Sequence, residues 1–225
     1  MTFQRIHRVG TFRRFLVVGA LATSTATIVA LPLSAHAAPA GVRPAGRVVE
    51  DDPVAAQATY ALATLQRAVD NHDASTMRAF DLARDRIAAD IANRLMVSPS
   101  VMQAAWQRAD REHQQAILGA LSQLGVPYRR NTSKPGEGFD CSGLTTYAWS
   151  HAGFLLQRQS SAQIRAAAPR DAMTAQAGDL VQYPGHIMIW LGVERYIVHA
   201  PYSGRTVEVD DFSARRHVRY GDPTG

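Results

Sequence analysis

Gly185-His186-Ile187-Met188-Ile189-Trp190-Leu191-Gly192-Val193-Glu194-Arg195-Tyr196-Ile197-Val198-His199 holds two short apolar runs around a turn. A link as short as Gly192-Val193-Glu194 favours antiparallel pairing of His186–Leu191 with Tyr196–His199. Further short runs lie on either side of it. Leu180–Tyr183 follows Ala177-Gly178-Asp179 and ends at the Tyr183-Pro184-Gly185 turn. Val207–Val209 follows Tyr202-Ser203-Gly204, and a weaker run lies near Val218. Helical patterns fill the chain before these strands, so the fold class reads as α+β.

The hairpin also pairs chemistry. His186 opens the first strand and His199 closes the second, so antiparallel pairing makes the two imidazoles neighbours on the sheet. Such a pair can divide the work of a proton acceptor and the group that orients it. The other histidines beyond the N-terminal segment, His72, His113, His151 and His217, sit in helical or polar neighbourhoods and read as solvated or capping residues.

A nucleophile to match them lies upstream. Cys141 is the chain's one cysteine, so it forms no intramolecular disulfide. It opens a helix over Ser142–Ala152, with Asp140 as cap and Gly153 as stop. Free N–H groups and the positive helix end favour thiolate there, and thiolate is the nucleophilic form. The negative charge of Asp140 opposes this unless its carboxylate is engaged elsewhere.

Further upstream, Pro53 to Gly125 is almost wholly helical. Val54, Ala58, Ala61, Leu65 and Ala68 form one stripe; Met77, Phe80, Ala83, Ile87, Ile91 and Leu95 form a second. Asn71-His72-Asp73 between them reads as a turn with a capping residue. The stripes are read as an antiparallel helical hairpin packing on itself, in preference to a partner surface or an inhibitory lid. Ser98, as cap, and Pro99 open a third helix running to Leu124, about 26 residues and about 39 Å if unbroken.

The N-terminus bears on the compartment. Arg5, Arg8, Arg13 and Arg14 precede an apolar run from Phe15 to Leu33, and Ser34-Ala35-His36-Ala37 supplies a small-residue site before Ala38. Residues 1–37 therefore read as a secretory signal peptide. A retained membrane anchor is the competing reading, weakened by the threonines and proline of the run. Once the signal is cleaved, no stable membrane anchor is expected, and the location is secreted or cell envelope. Arg13-Arg14 leaves Sec and twin-arginine export both open. Residues 38–52 read as a flexible leader, 53–111 as a helical region, and 112–225 as the domain carrying Cys141 and the histidine pair.

Charge excludes some partners. The chain has 24 basic and 19 acidic residues, a net charge of +5, and the four N-terminal arginines account for most of it. The near-neutral remainder speaks against nucleic acid as a partner. With 46% hydrophobic and 19% charged residues the chain can bury a core.

Several pieces of residues 113–220 come in a familiar order: Leu124-Gly125-Val126-Pro127-Tyr128, Phe139-Asp140-Cys141-Ser142-Gly143-Leu144, Ser160-Ser161-Ala162-Gln163, Ala177-Gly178-Asp179-Leu180-Val181, Gly185-His186-Ile187 and Val198-His199-Ala200-Pro201. Together they resemble the NlpC/P60 family of cell-wall cysteine peptidases, in its actinobacterial type. The resemblance covers about half the chain and omits the helical region.

It implies a papain-like α+β domain, with the cysteine-bearing helix packed on a small antiparallel sheet. It also implies an exported endopeptidase acting on peptidoglycan stem peptides, often at the D-γ-glutamyl to diaminopimelate bond, through a thioester and with no metal or cofactor. Carried over, Cys141 is nucleophile, His186 general base and His199 the orienting third member. Tyr128 and the Cys141 N–H become donors to the oxyanion. Asp140 and Ser142 face the stem peptide, and Arg158, Ser160 and Ser161 line the cleft.

This chain departs from the pattern at Arg129-Arg130-Asn131 and at Met188, which lies on the His186 face and narrows the site. Two rivals stand beside the endopeptidase: a non-catalytic peptidoglycan-binding protein on the same scaffold, and a Cys/His amidase or acyltransferase. An intramolecular contact of the helical region with the cleft, shielding it, is the alternative to a packing or spacing role, which is preferred.

Overall fold

The computed structural model describes residues 52–225. The expected signal peptide and nearly all of the leader lie outside the described residues. Among those described, no helix is long and apolar enough to cross a membrane.

The first helix, α1, runs Pro53–Asn71. Asp52 caps it by accepting from the Val54 N–H at 2.9 Å, and Pro53 occupies the first turn, where its missing donor costs nothing. His72 ends it in the left-handed region, at φ 52°, and Asp73 then caps α2, Ala74–Arg94, by accepting from the Ser75 and Thr76 N–H groups. The two helices pack as an antiparallel pair. All five residues of the first expected stripe are buried, as are Phe80, Ile87 and Ile91 of the second. Arg94 forks onto Asp52 with two contacts of 2.7 Å and ties the far end of α2 to the start of α1.

The third helix is not continuous. It is α3, Pro99–Arg108, followed by α4, Arg111–Leu121. Ala109 leaves the helix at ψ 145° and Asp110 becomes the next N-cap residue. Long-range partners hold the break open: Gln176 accepts the Asp110 N–H at 2.9 Å and donates to its carboxylate at 2.9 Å, while Gln114 donates to the Ala109 carbonyl at 2.8 Å. Ser98 stands at the expected N-cap, but its hydroxyl pairs with the Ser100 hydroxyl rather than with a backbone N–H of the helix.

The remainder carries the sheet. A small hairpin of β1, Ser133–Lys134, and β2, Gly138–Phe139, leads into α5, Cys141–Ser150; α6 is Ser160–Ala166. Then come β3, Ala168–Arg170; β4, Leu180–Tyr183; β5, His186–Trp190; β6, Tyr196–His199; β7, Glu208–Asp211; and β8, Arg219–Asp222. The larger sheet has the order β3-β8-β4-β5-β6-β7, with every pair antiparallel. The architecture is α+β.

Strand alternation splits the sheet cleanly. Leu180, Ile187, Ile189 and Val198 join the main core beneath α4 and α5, whereas Val181, Met188, Trp190 and Ile197 pack with Phe212 on the other face. The apolar runs of the sequence anticipate β4 to β8; β1, β2, β3 and α6 are additional. β3 contains Pro169, which suits the sheet edge it occupies.

One core runs from Val54 to Val207, so helices of residues 53–111 and the segment 112–225 are packed without a break. Trp106 of α3 fastens them, its indole donating to the Leu191 carbonyl at 2.9 Å. His113, read from sequence as solvated or capping, is fully buried: its Nε2 lies 3.0 Å from Asp179 and 3.2 Å from Asp222.

Candidate active site

The start of α5 is built around Asp140. Its Oδ1 accepts from the Gly143 N–H at 2.7 Å, the N-cap bond expected of an aspartate here. Gly143 is required by close packing: a Cβ there would sit 2.1 Å from the Thr132 carbonyl oxygen. Asp140 Oδ2 accepts from the Asn131 N–H at 2.8 Å, and Arg158 grips both oxygens at 2.9 and 2.7 Å while also donating to Ser142 at 2.9 Å. The carboxylate is therefore engaged on all sides. The Arg158 fork is correspondingly closed onto Asp140 and Ser142.

Gln163 fixes the same turn from behind. Buried, it donates to the Ser142 and Gln157 carbonyls at 3.0 and 2.7 Å and accepts from Thr145 at 2.6 Å.

Cys141 is half-buried at the tip of α5, in a hollow of about 600 Å³. Tyr128, Asp140, Ser142, Arg158, Ser160 and Ser161 line that hollow with it, as does Gly185. His186 and His199 line a second hollow of about 210 Å³. The chain neighbours of His186 adjoin Cys141: Gly185 shares its hollow, and the Ile187 N–H is among the groups that favour its thiolate. His186 and His199 are diagonal neighbours across β5 and β6, with His186 Nε2 2.9 Å from His199 Nδ1. Met188, on the His186 face, lines the same hollow. Among the described residues, none of α1 to α3 lines either hollow, so a shielding contact of the helical region with the cleft is not seen; α3 anchors instead on the β5–β6 turn.

The electrostatics reverse one expectation. Burial pushes the Cys141 thiol up, and the Asp140 charge adds to this; N–H groups of Ile187, Ser142 and Cys141 itself pull the other way without prevailing. Burial, with His199 and Arg215 adding to it, pushes His186 down to about 3. At neutral pH the resting pair is thus a thiol beside a neutral imidazole, not a preformed thiolate. Tyr128 is raised chiefly by burial, with the Asp140 charge adding to it, which keeps its phenol a hydrogen-bond donor.

Two carboxylates escaped the sequence reading. Glu208 lies opposite His199 in the β6–β7 register and Asp210 is diagonal to it; their oxygens stand 3.6 and 3.9 Å from His199 Nε2. Their alternation within Val207-Glu208-Val209-Asp210 was a usable signal, since it places both on one face of a strand beside a histidine-bearing strand.

Residues 125–219, which contain the cysteine hollow's thiol and both paired histidines, match the family model described as NlpC/P60 family. This part of the chain belongs to the NlpC/P60 family. Dipeptidyl-peptidase 6 of Lysinibacillus sphaericus is 36% identical over 117 residues, which are 51% of this chain and 41% of that protein. Murein DD-endopeptidase MepH of Escherichia coli is 30% identical over 117 residues, covering 46% of this chain and 43% of that one. Among solved structures, the P60 domain of an antigen from M. avium subspecies paratuberculosis has 28% sequence identity and a TM-score of 0.44, covering 51% of this chain and 96% of that one. The matches with the two curated relatives thus span less than half of their length. Cys141, Arg158, His186 and His199 all lie inside the NlpC/P60 segment, whereas α1 to α3 precede it.

Proposed function

We propose that this chain is an exported cysteine endopeptidase of the cell envelope that hydrolyses stem-peptide amide bonds in peptidoglycan, with the D-γ-glutamyl to diaminopimelate bond as its target. The observation that carries the reading is the 2.9 Å contact from His186 to His199, with Gly185, next to His186, lining the Cys141 hollow.

In this reading His186 takes the thiol proton as the sulfur attacks the scissile carbonyl. Developing oxyanion charge is met by the Tyr128 phenol and the Cys141 N–H. Collapse breaks the C–N bond, His186 returns the proton to the leaving amine, and a thioester remains. Water, deprotonated by His186, then hydrolyses the thioester and regenerates the thiol. Because both groups rest neutral, the proton moves only as attack begins and the negative charge passes to the carbonyl oxygen. Arg130, which lines the same hollow as Arg158, supplies positive charge for a carboxylate-bearing stem.

Incubating the chain with defined muropeptides and identifying products by mass spectrometry tests the proposal. The expected result is cleavage by the native protein and none by Cys141→Ala. Cleavage by neither favours a peptidoglycan-binding role, a second reading that the raised Cys141 thiol supports. Cleavage by both rules out Cys141 as nucleophile, and a different bond cut identifies an amidase.

A further inference from the structure

His199 is buried, at 8% exposure, and its Nε2 has no hydrogen-bond partner within bonding distance, yet two carboxylates face it. Arg205 grips Glu208, with Nε 3.1 Å from Oε2 and Nη2 on Oε1, and itself donates to the Tyr202 hydroxyl at 3.2 Å. The carboxylate nearest His199 is thus held in place from behind. Its positive partner also offsets the charge that would attract a cation. Burial raises the Glu208 carboxyl, but His199 and Arg205 outweigh it and hold the group below its ordinary value, so it is charged at neutral pH.

Resting on the cysteine-peptidase reading, we infer that Glu208 is a positioning residue that selects the catalytically competent tautomer of the histidine pair through His199. The reasoning is a proton count. His186 Nε2 is taken by His199 Nδ1, so Nδ1 is the His186 nitrogen left to accept the thiol proton. It can accept only if neutral His186 carries its hydrogen on Nε2 and donates it to His199 Nδ1. Neutral His199 must then carry its own hydrogen on Nε2, aimed at Glu208. In the opposite arrangement His199 donates from Nδ1, His186 Nδ1 is already protonated, and the His199 Nε2 lone pair faces two carboxylates. The second arrangement is both inactive and repelled. At 3.6 Å the Glu208 contact is longer than a formed hydrogen bond, and resting catalytic contacts commonly tighten when substrate binds. Asp210, half-exposed and 3.9 Å away, is the weaker partner.

Glu208→Gln is the discriminating substitution because it keeps size while removing the charge and one of the two acceptor oxygens. Arg205 donates to both Glu208 oxygens, including the Oε1 that faces His199, so a glutamine cannot satisfy both donors, and with the negative charge gone the bias toward the competent tautomer is lost. Nitrogen-15 NMR of histidine-labelled full chain reads both rings directly. The expected result is hydrogen on Nε2 of His186 and His199 in the native protein, and movement of both toward Nδ1 in Glu208→Gln. Cys141 alkylation by iodoacetamide should slow in parallel, and kcat on muropeptides should fall about 10²-fold with KM little changed. Glu208→Asp, which retains the carboxylate, should keep the native tautomers and recover most of the alkylation rate. A native His199 carrying hydrogen on Nδ1, or tautomers and alkylation unchanged by Glu208→Gln, overturns the inference. Absence of muropeptide cleavage by the native protein counts against the peptidase reading alone, because tautomer and alkylation still report on Glu208.

Discussion

Two histidines in this molecule each face a pair of carboxylates, and their surroundings give them opposite uses. His113 Nε2 lies 3.0 and 3.2 Å from Asp179 and Asp222, with all three residues at 2% exposure or less. Gly178 closes the wall: a Cβ at this residue, with φ of 104°, would sit 2.6 Å from the His113 Cβ. Arg170 completes the joint by binding Asp222 at 2.7 Å. His199 has looser carboxylates, at 3.6 and 3.9 Å, beside an open hollow. The sealed cluster stitches α4 to β4 and β8; the open one stands behind the imidazole proposed as the base. Similar groups become a fastener or, in the proposed site, an orienting pair according to whether solvent and substrate can reach them.

The largest expected effect comes from breaking the open site. His186→Asn should lower turnover about 10³-fold or more, the loss typical of removing a general base, while the circular dichroism spectrum is retained. Turnover that survives would remove His186 from the mechanism. The sealed cluster should respond the other way. Asp179→Ala leaves the buried His113 short of a partner and should lower the unfolding free energy by about 3 kcal/mol, with turnover per folded molecule retained. Urea denaturation beside active-site titration separates those quantities.

The smallest effect is a slope with pH. His186 has its folded pKa pushed from 6.5 down to about 3, so the unfolded chain binds more protons between those values. Stability is then fully present above about pH 6.5 and lost as pH falls toward 3, by at most about 1.4 kcal/mol per pH unit from this group. Denaturation at pH 6.5 and 5 should give a flatter dependence for His186→Asn than for the native chain. Equal slopes would mean that His186 does not remain neutral in the fold.

Much of this arrangement was legible before folding. The α5 start at Asp140-Cys141, the β4 to β8 runs, the α1 stripe and the meeting of His186 with His199 follow from capping and alternation, which act between near neighbours or across a short turn. The break at Ala109 was not legible: helix propensity runs through it, and the competing bonds come from Gln176, 66 residues from Asp110. Burial of His113 was hidden for the same reason, since Asp179 is 66 residues away. The raised Cys141 thiol shows the limit within a correctly read element, because the helix-end field favoured thiolate while burial opposed it more strongly.

Sequence alone determined where the helix carrying the thiol begins, which strand faces carry the imidazoles, and which family 125–219 belongs to. The tertiary structure decided which histidine is sealed, which carboxylates stand behind the other, and that Cys141 and His186 rest uncharged. Capping and strand period are properties of adjoining residues, whereas desolvation and long-range pairing exist only once distant segments have excluded water together.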